Sequence, residues 1–240
     1  MPSLRPNPLA PPLPQGFAVP GFGQALPLHG LTVLAVEDSR YACEALRLMC
    51  HRAGARLRRA DTLRAARAHL RVYRPDVVII DLGLPDGRGE VLIRDLVLSS
   101  ARPGLILGTS GHTNGRMSAL ASGADGFLDK PLESLPKFCA SILRHLPGHA
   151  GVIPANDLIC PDPLALHDDL MQADLALSGA QDAASRRYIT GFLAGLAHHA
   201  HDTGLAKAAE NAGQNETDLP QLRALIKDRL SDYAAFALQP

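Results

Sequence analysis

Short apolar runs in this chain end in polar residues, and amphipathic stretches of helical period separate these runs. The run LTVLAV is followed by Glu37 and Asp38, and the run VVII is followed by Asp81. Two later runs lead to Ser110 and to Lys130. Strands that alternate with helices predict a parallel sheet covered by helices. Because the carboxyl ends of parallel strands share one edge, these polar side chains are expected to meet in one pocket.

The periodicity predicts a doubly wound α/β domain over residues 31–146, built on a five-stranded parallel sheet. A continuous apolar run is typical of a buried strand, and spacing of three or four residues is typical of a helix. The predicted strands are 31–36, 56–60, 77–81, 105–109 and 124–129. The predicted helices are 39–53, 62–72, 90–98, 113–122 and 132–146.

Composition divides the rest of the chain into three segments. Residues 1–30 contain eight prolines and are expected to form a flexible tail, because proline sustains neither helix nor ladder pairing. Residues 147–161, rich in Pro, Gly and Ala, are expected to be a linker. Residues 162–240 show helical periodicity throughout and predict a small all-α module, with helices at about 163–177 and 182–201, another after Gly204, and a last one from Asp218.

The charge distribution argues against a nucleic-acid partner. Of the 24 basic and 24 acidic residues, residues 1–154 carry 18 basic and 12 acidic ones, and residues 155–240 carry 6 and 12. A module with a balance of −6 is a poor match for DNA phosphates. No apolar run approaches the ~18–20 residues of a membrane span, so a cytoplasmic protein without a membrane partner is expected. The four cysteines form no C-x-x-C pair and are expected to be reduced.

Four motifs, in order and spacing, resemble a two-component response-regulator receiver domain over residues 31–146. They are VEDS at 36–39, IIDLGLPDGRG at 79–89, GTSG at 108–111 and SGADGFLDKP at 122–131. The resemblance implies a flavodoxin-like fold and a bacterial phosphorelay in which Asp81 accepts a phosphoryl group with Mg²⁺. It implies a sensor histidine kinase or a phosphotransfer protein as the donor. It also implies a phosphoprotein rather than an enzyme, apart from its own phosphorylation and dephosphorylation.

The resemblance also assigns the metal ligands. The side chains of Glu37, Asp38 and Asp81 and the backbone carbonyl of Gly83 are expected to hold Mg²⁺, which prefers hard oxygen ligands. Three carboxylates at one point raise at least one pKa unless a cation is present. The ion is therefore expected to offset the repulsion between the carboxylates as well as to assist the reaction.

Four further residues match positions with family roles. Lys130 is expected to neutralise phosphoryl oxygens, and Ser110, with Thr109 as a rival, to hydrogen-bond the phosphoryl group as a switch residue. Phe127 is expected to be the aromatic switch partner of Ser110. The bond before Pro131 is expected to be cis, as in the family.

The sequence of the C-terminal helices indicates less about function than the sequence of residues 31–146. Four amphipathic helices that total about 60 residues can bury only a small hydrophobic core on their own. We therefore expect them to mediate dimerisation or docking of a protein partner. The cluster of His198, His199 and His201 has three interpretations: polar residues on a solvated helix, a metal site, or a phosphate-carrying histidine. The last would make the protein a phosphorelay intermediate with a histidine phosphotransfer-like module, which is the alternative function.

Overall fold

The computed structural model describes residues 26–132, 134–146, 159–180 and 182–237, and the side chains of this last range through Asp232. Of the predicted tail and linker, residues 1–25 and 147–158 lie outside the described residues. Residues 26–30 belong to the folded unit, because Leu28 is fully buried in the apolar core. Ile159, at the end of the predicted linker, is buried in the same core.

Five parallel strands form the central sheet, as predicted. They are β1 (Thr32–Val36), β2 (Arg56–Ala60), β3 (Val77–Asp81), β6 (Leu105–Ser110) and β7 (Gly126–Asp129). Their order across the sheet is β2-β1-β3-β6-β7. The short strands β4 (Gly83–Leu84) and β5 (Gly87–Arg88) pair as an antiparallel hairpin, which is absent from the predicted elements. Chain order and spatial order change direction at β1 and β3, so a crevice opens at their carboxyl ends.

Five helices cover the two faces of the sheet: α1 (Arg40–Ala53), α2 (Leu63–Val72), α3 (Gly89–Val97), α4 (Gly115–Ala121) and α5 (Leu135–Leu143). Polar side chains fix where three of them begin. Ser39 caps α1 by accepting a hydrogen bond from the Ala42 N–H at 3.0 Å. Thr62 caps α2 in the same way, by accepting from the Ala65 N–H at 3.1 Å. Helix α5 begins later than predicted because Ser134 is its N-cap.

Two apolar layers hold the sheet between its helices. Residues of α1 and α5 pack on one face, where Leu46, Met49 and Phe138 are buried to within 2% exposure. Residues of α2, α3 and α4 pack on the other face, together with Ile80 and Ile106. Strand β3 is buried along its whole length, which agrees with its unbroken Val/Ile run.

The C-terminal module is all-α, as predicted. Its helices are α6 (Pro163–Gly179), α7 (Ala183–His199), α8 (Thr203–Gln214) and α9 (Leu219–Ala237). Helix α7 ends earlier than predicted, and His201 just beyond it has a positive φ of 56°. Their shared core includes Leu170, Leu193 and Leu222, and Tyr41 of α1 packs against it. Helix α6 packs on α1 and α7 packs on α1 and β4, so the module lies against the α/β unit.

No helix in the described part of the chain combines the length and the apolar character that a membrane crossing requires.

Candidate functional site

One cavity of about 120 Å³ opens at the carboxyl ends of the central strands, where the sequence predicted a shared pocket. Glu37 and Asp38 enter it after β1, Asp81 enters it at the end of β3, and Ser110 enters it at the end of β6. Lys130 follows β7 and lines the same cavity. The parallel pairing of the strands explains why these side chains meet. Strand β1 pairs with β3 and β3 pairs with β6, so all three strands end at the same edge of the sheet.

The three carboxylates form one acidic cluster. Glu37, Asp38 and Asp81 each place a carboxylate oxygen within 4.8 Å of the other two, and among the described residues this is the group of acidic, His or Cys side chains with metal-binding spacing. Glu37 is 1% exposed and Asp81 is 8% exposed. Hard, anionic oxygens on a partly enclosed cleft fit a divalent cation such as Mg²⁺.

Burial and mutual repulsion perturb the acids of this cluster. Burial raises the pKa of Glu37 to about 8, with Asp81 and Asp38 adding to the shift and Lys130 opposing it. Burial also raises the pKa of Asp38 to about 6, against the hydrogen bond that Asp38 accepts from Tyr188. Burial is the larger cause of both shifts and repulsion between the carboxylates the smaller one, and a bound cation would favour the charged form of both acids.

Lys130 is the cation within the cluster. Its ammonium donates to Glu37 Oε2 at 2.8 Å and to Asp81 Oδ2, and its side chain is only 3% exposed. Burial by itself would lower the pKa of Lys130, but the carboxylates of Asp81 and Glu37 outweigh burial and raise it. The peptide bond from Lys130 to Pro131 is cis, as the resemblance implied.

Gly83, whose backbone carbonyl is expected to hold Mg²⁺, lines the cavity, and its N–H donates to Asp81 Oδ1 at 3.1 Å. This bond engages Oδ1 of the Asp81 carboxylate, whereas Lys130 binds Oδ2. Both Asp81 oxygens are therefore fixed in direction by neighbouring donors.

Ser110 and Phe127 both lie next to Gly115. The Ser110 hydroxyl accepts from the His112 N–H at 3.1 Å, and Ser110 lines the cavity whereas Thr109 does not. Phe127 is 8% exposed with its ring under the Arg116 guanidinium, 5.2 Å from the ring centroid. A Cβ on Gly115 would lie 2.7 Å from Ser110 Cβ and 3.2 Å from the Phe127 ring. The glycine therefore leaves the two predicted switch residues room to approach each other.

Helix α7 of the C-terminal module covers the cavity, which the sequence did not predict. Residues of α7 that line the cavity include Tyr188, Gly191, Phe192, Gly195 and His199. The Tyr188 hydroxyl donates to Asp38 Oδ2. Two glycines four residues apart in α7 were the available signal, because small residues at this spacing let a helix approach another backbone closely.

The histidine cluster at the end of α7 does not act as one unit. His198 Nε2 lies 3.2 Å from Glu210 Oε1, at the surface of the module. His199 is 6% exposed, and neither of its ring nitrogens has a hydrogen-bond partner among the described residues. Burial lowers the pKa of His199 well below its ordinary value, and Lys130 contributes to the shift. None of the described histidines belongs to a group with metal-binding spacing, so the metal interpretation of this cluster finds no support.

The four cysteines are free thiols, and Cys43, Cys50 and Cys139 are buried. Burial raises the pKa of Cys139 to about 11, so its thiol stays protonated at neutral pH.

A five-stranded parallel α/β unit with an acidic cluster, a buried lysine and a hydroxyl at one sheet edge is a receiver domain. Residues 33–141 match the family model of the response regulator receiver domain, so this part of the chain is a receiver domain of that family.

Among curated proteins, the chain is similar to the KDP operon transcriptional regulatory protein KdpE of Escherichia coli (strain K12). The identity is 35% over 147 residues, which cover 60% of this chain and 60% of KdpE. It is 31% identical over 126 residues to the virulence transcriptional regulatory protein PhoP of Salmonella typhimurium (strain LT2), covering 51% of this chain and 56% of PhoP. The chain thus spans three fifths or less of the length of these relatives.

Among solved structures, a putative response regulator from Chloroflexus aurantiacus is 28% identical, with a TM-score of 0.44, over 48% of this chain and 98% of that one. The receiver domain of sensor histidine kinase PA1611 from Pseudomonas aeruginosa, solved with a magnesium ion coordinated in its active site cleft, is 21% identical. Its TM-score is 0.45, over 49% of this chain and 98% of that one.

Proposed function

We propose that this protein is a phosphoacceptor of a two-component system in which Asp81 receives the phosphoryl group. The observation that carries the proposal is the position of Asp81. Its carboxylate accepts a hydrogen bond from a buried ammonium and places an oxygen within 4.8 Å of two further carboxylates, and all four side chains line one cavity. Such a site supports phosphoryl transfer, which needs positioning and charge neutralisation more than it needs proton transfer.

Glu37, Asp38 and Asp81 would hold Mg²⁺, together with the carbonyl of Gly83 as the family resemblance implies. The donor set of the cluster fits this ion, because it consists of hard oxygens and leaves space for water ligands. When bound, Mg²⁺ supplies positive charge to the oxygens of the transferring phosphoryl group.

The residues of the chain supply the remaining parts of the reaction. A carboxylate oxygen of Asp81 forms a bond to phosphorus while the bond between phosphorus and the donor breaks, and the leaving group keeps that electron pair. The product is an acyl phosphate. Lys130 then exchanges its contact with Asp81 for one with the phosphoryl oxygens, and the Ser110 hydroxyl donates a hydrogen bond to them.

The donor would be a sensor histidine kinase or a phosphotransfer protein, and the output would pass through the C-terminal helices by contact with a protein rather than with DNA. The acidic balance of residues 155–240 supports an output without nucleic acid. Dimerisation through these helices, a cytoplasmic location and the lack of further enzymatic activity stay predictions.

The experiment incubates the full-length chain with acetyl phosphate and Mg²⁺ and measures intact mass. One phosphoryl group is expected on the unaltered protein and none on Asp81→Asn. The matched control is Asp95→Asn, which removes an exposed carboxylate paired with Arg67 and is expected to retain labelling. Labelling that persists in Asp81→Asn would place the acceptor elsewhere.

The relay alternative rests on one observation: His199 lines the same cavity as Asp81. A phosphohistidine survives alkaline treatment, whereas an acyl phosphate is hydrolysed by it. Alkali-stable label that is lost in His199→Gln would support the relay. Label that is wholly alkali-labile, and unchanged in His199→Gln, is expected for acceptance at Asp81 alone.

A further inference from the structure

Helix α7 approaches the active-site loop backbone to backbone. A Cβ built on Gly111, next to Ser110, would lie 3.0 Å from the Cα of Gly195 in α7. A Cβ built on Gly191 would lie 3.6 Å from His112 Nε2. Larger residues at Gly111 would push the helix outward. The approach of a large phosphodonor toward Asp81 is therefore occupied by a helix of the same chain.

The hydroxyl of Tyr188 occupies the acidic cluster itself. Tyr188 donates to Asp38 Oδ2, and Asp38 is a carboxylate expected to serve the metal directly or through water. A cation at this oxygen and the tyrosine hydroxyl compete for the same lone pairs. We define the Tyr188–Asp38 contact as the first latch.

A second latch lies outside the cavity, at the start of α1. Asp169 of α6 is 2% exposed and accepts from the Ser39 hydroxyl at 2.9 Å. It also accepts from the backbone N–H groups of Arg40 at 3.2 Å and Tyr41 at 3.1 Å. A carboxylate at a helix N-terminus satisfies N–H groups that have no partner within the helix and interacts favourably with the helix dipole. The module therefore supplies a cap to a receiver helix that begins directly after the acidic pair.

We propose that the C-terminal helical module is an autoinhibitory cap on the receiver, closed by these two latches over the phosphoacceptor pocket. The proposal rests on the proposed function, because it concerns the regulation of the same site. In the closed form α7 excludes a protein donor, and Tyr188 competes with the metal for Asp38. Opening uncovers the pocket and, at the same time, the faces of α6 and α7 that the receiver buries.

Linkage fixes the thermodynamic consequence. If closure weakens Mg²⁺ binding by some factor, Mg²⁺ weakens closure by the same factor. Breaking a latch shifts the equilibrium toward the open form, so each latch variant should bind Mg²⁺ more tightly. One hydrogen bond of ordinary strength corresponds to about a fivefold change in an equilibrium constant.

The test uses two latch variants of the full-length chain, each with a matched control. Tyr188→Phe removes the hydroxyl in the cavity, and its control Tyr73→Phe removes a hydroxyl that contacts His69 outside the cavity. Asp169→Ala removes the second latch without touching the cluster. Its control Asp174→Ala removes a carboxylate of the same helix that faces Arg223 within the module.

Mg²⁺ affinity is measured by calorimetry, and the initial rate of labelling is measured with acetyl phosphate. Both are expected to rise about fivefold in Tyr188→Phe, and by more than that in Asp169→Ala because it loses three hydrogen bonds, and to stay unchanged in the controls. Amide exchange in α7 is expected to increase when Mg²⁺ and acetyl phosphate are added to the unaltered chain. Circular dichroism checks that each variant retains its helices.

The outcomes separate the cap from the phosphoacceptor role. Equal Mg²⁺ affinity in the unaltered chain and in both folded latch variants would overturn the cap, even if all of them are labelled at Asp81. Tighter Mg²⁺ binding in the latch variants without labelling of any variant would support the cap and overturn the proposed function. A gain confined to Tyr188→Phe would show competition at Asp38 without a closing module and would likewise overturn the cap.

Discussion

Replacing Lys130 by methionine should destabilise the receiver through the charges that it leaves behind. Methionine keeps most of the apolar stem and removes the ammonium, so the change isolates the charge. The side chains of Lys130 and Glu37 are 3% and 2% exposed, and that of Asp81 is 11% exposed. Solvent screening is therefore weak, unlike at an exposed pair.

Removing one partner of a buried ion pair costs about 3–5 kcal/mol of unfolding free energy. Glu37 limits the loss because it can take up a proton, since burial already raises its pKa to about 8. We therefore expect a loss at the lower end, about 3 kcal/mol near pH 7. A divalent cation replaces the missing positive charge, so saturating Mg²⁺ should reduce the loss.

The assay is urea unfolding with and without Mg²⁺, with Lys137→Met, at an exposed position of α5, as the control. The control should change stability by less than about 0.5 kcal/mol. A Lys130→Met protein as stable as the control would refute the reasoning, because the three carboxylates would then tolerate one another unaided. A loss that Mg²⁺ leaves unchanged would show that the cluster does not bind the ion.

Three further predictions concern the receiver and its cap. Gly115→Ala should cost about 1–3 kcal/mol in urea unfolding, because its Cβ would lie 2.7 Å from Ser110 Cβ and force the switch residues apart. Asp86→Ala should cost about 1 kcal/mol in the same assay, because its carboxylate accepts from two backbone N–H groups at the start of α2, at 2.8 and 2.9 Å. His199→Leu should flatten the acid side of the stability profile. The pKa of buried His199 lies below its ordinary value of 6.5, so the stability it confers is present above that pH and is lost as pH falls below it, by up to about 1.4 kcal/mol per pH unit.

Each of these has a contrary result. Unchanged stability in Gly115→Ala would mean that α4 shifts freely away from β6. An unaffected Asp86→Ala would mean that water satisfies the start of α2 equally well. An acid profile that stays as steep in His199→Leu as in the unaltered chain would assign the acid sensitivity to other groups.

Sequence patterns were sufficient to predict the fold of the receiver and most of the residues that line its cavity. Strand β3 was predictable because a strand buried on both faces needs an unbroken apolar run, and 77–81 supplies one. Asp81, Glu37 and Lys130 were predictable because Asp81 ends a strand and Glu37 and Lys130 each directly follow one, so local position fixes the sheet edge on which they lie. Their order and spacing then matched a family, and the cavity contains all three.

The sequence did not predict contacts between segments that are far apart along the chain, nor very short elements. Leu28 lies in a proline-rich stretch, yet it is buried because α1 offers an apolar face and the Ala53 carbonyl, which accepts a hydrogen bond from the Leu28 N–H. The hairpin of β4 and β5 is shorter than any periodicity can reveal.

By itself, the sequence determined the strand and helix pattern of the receiver and the set of residues at its reactive edge, because both follow from local order along the chain. It also indicated a helical C-terminal module, and the described residues of this module form helices α6 to α9. Only the tertiary structure decided that α7 lies over that edge, with Tyr188 on Asp38 and Asp169 at the start of α1. The physical reason is that helical periodicity shows which face of a helix is apolar but carries no record of the surface that this face will cover.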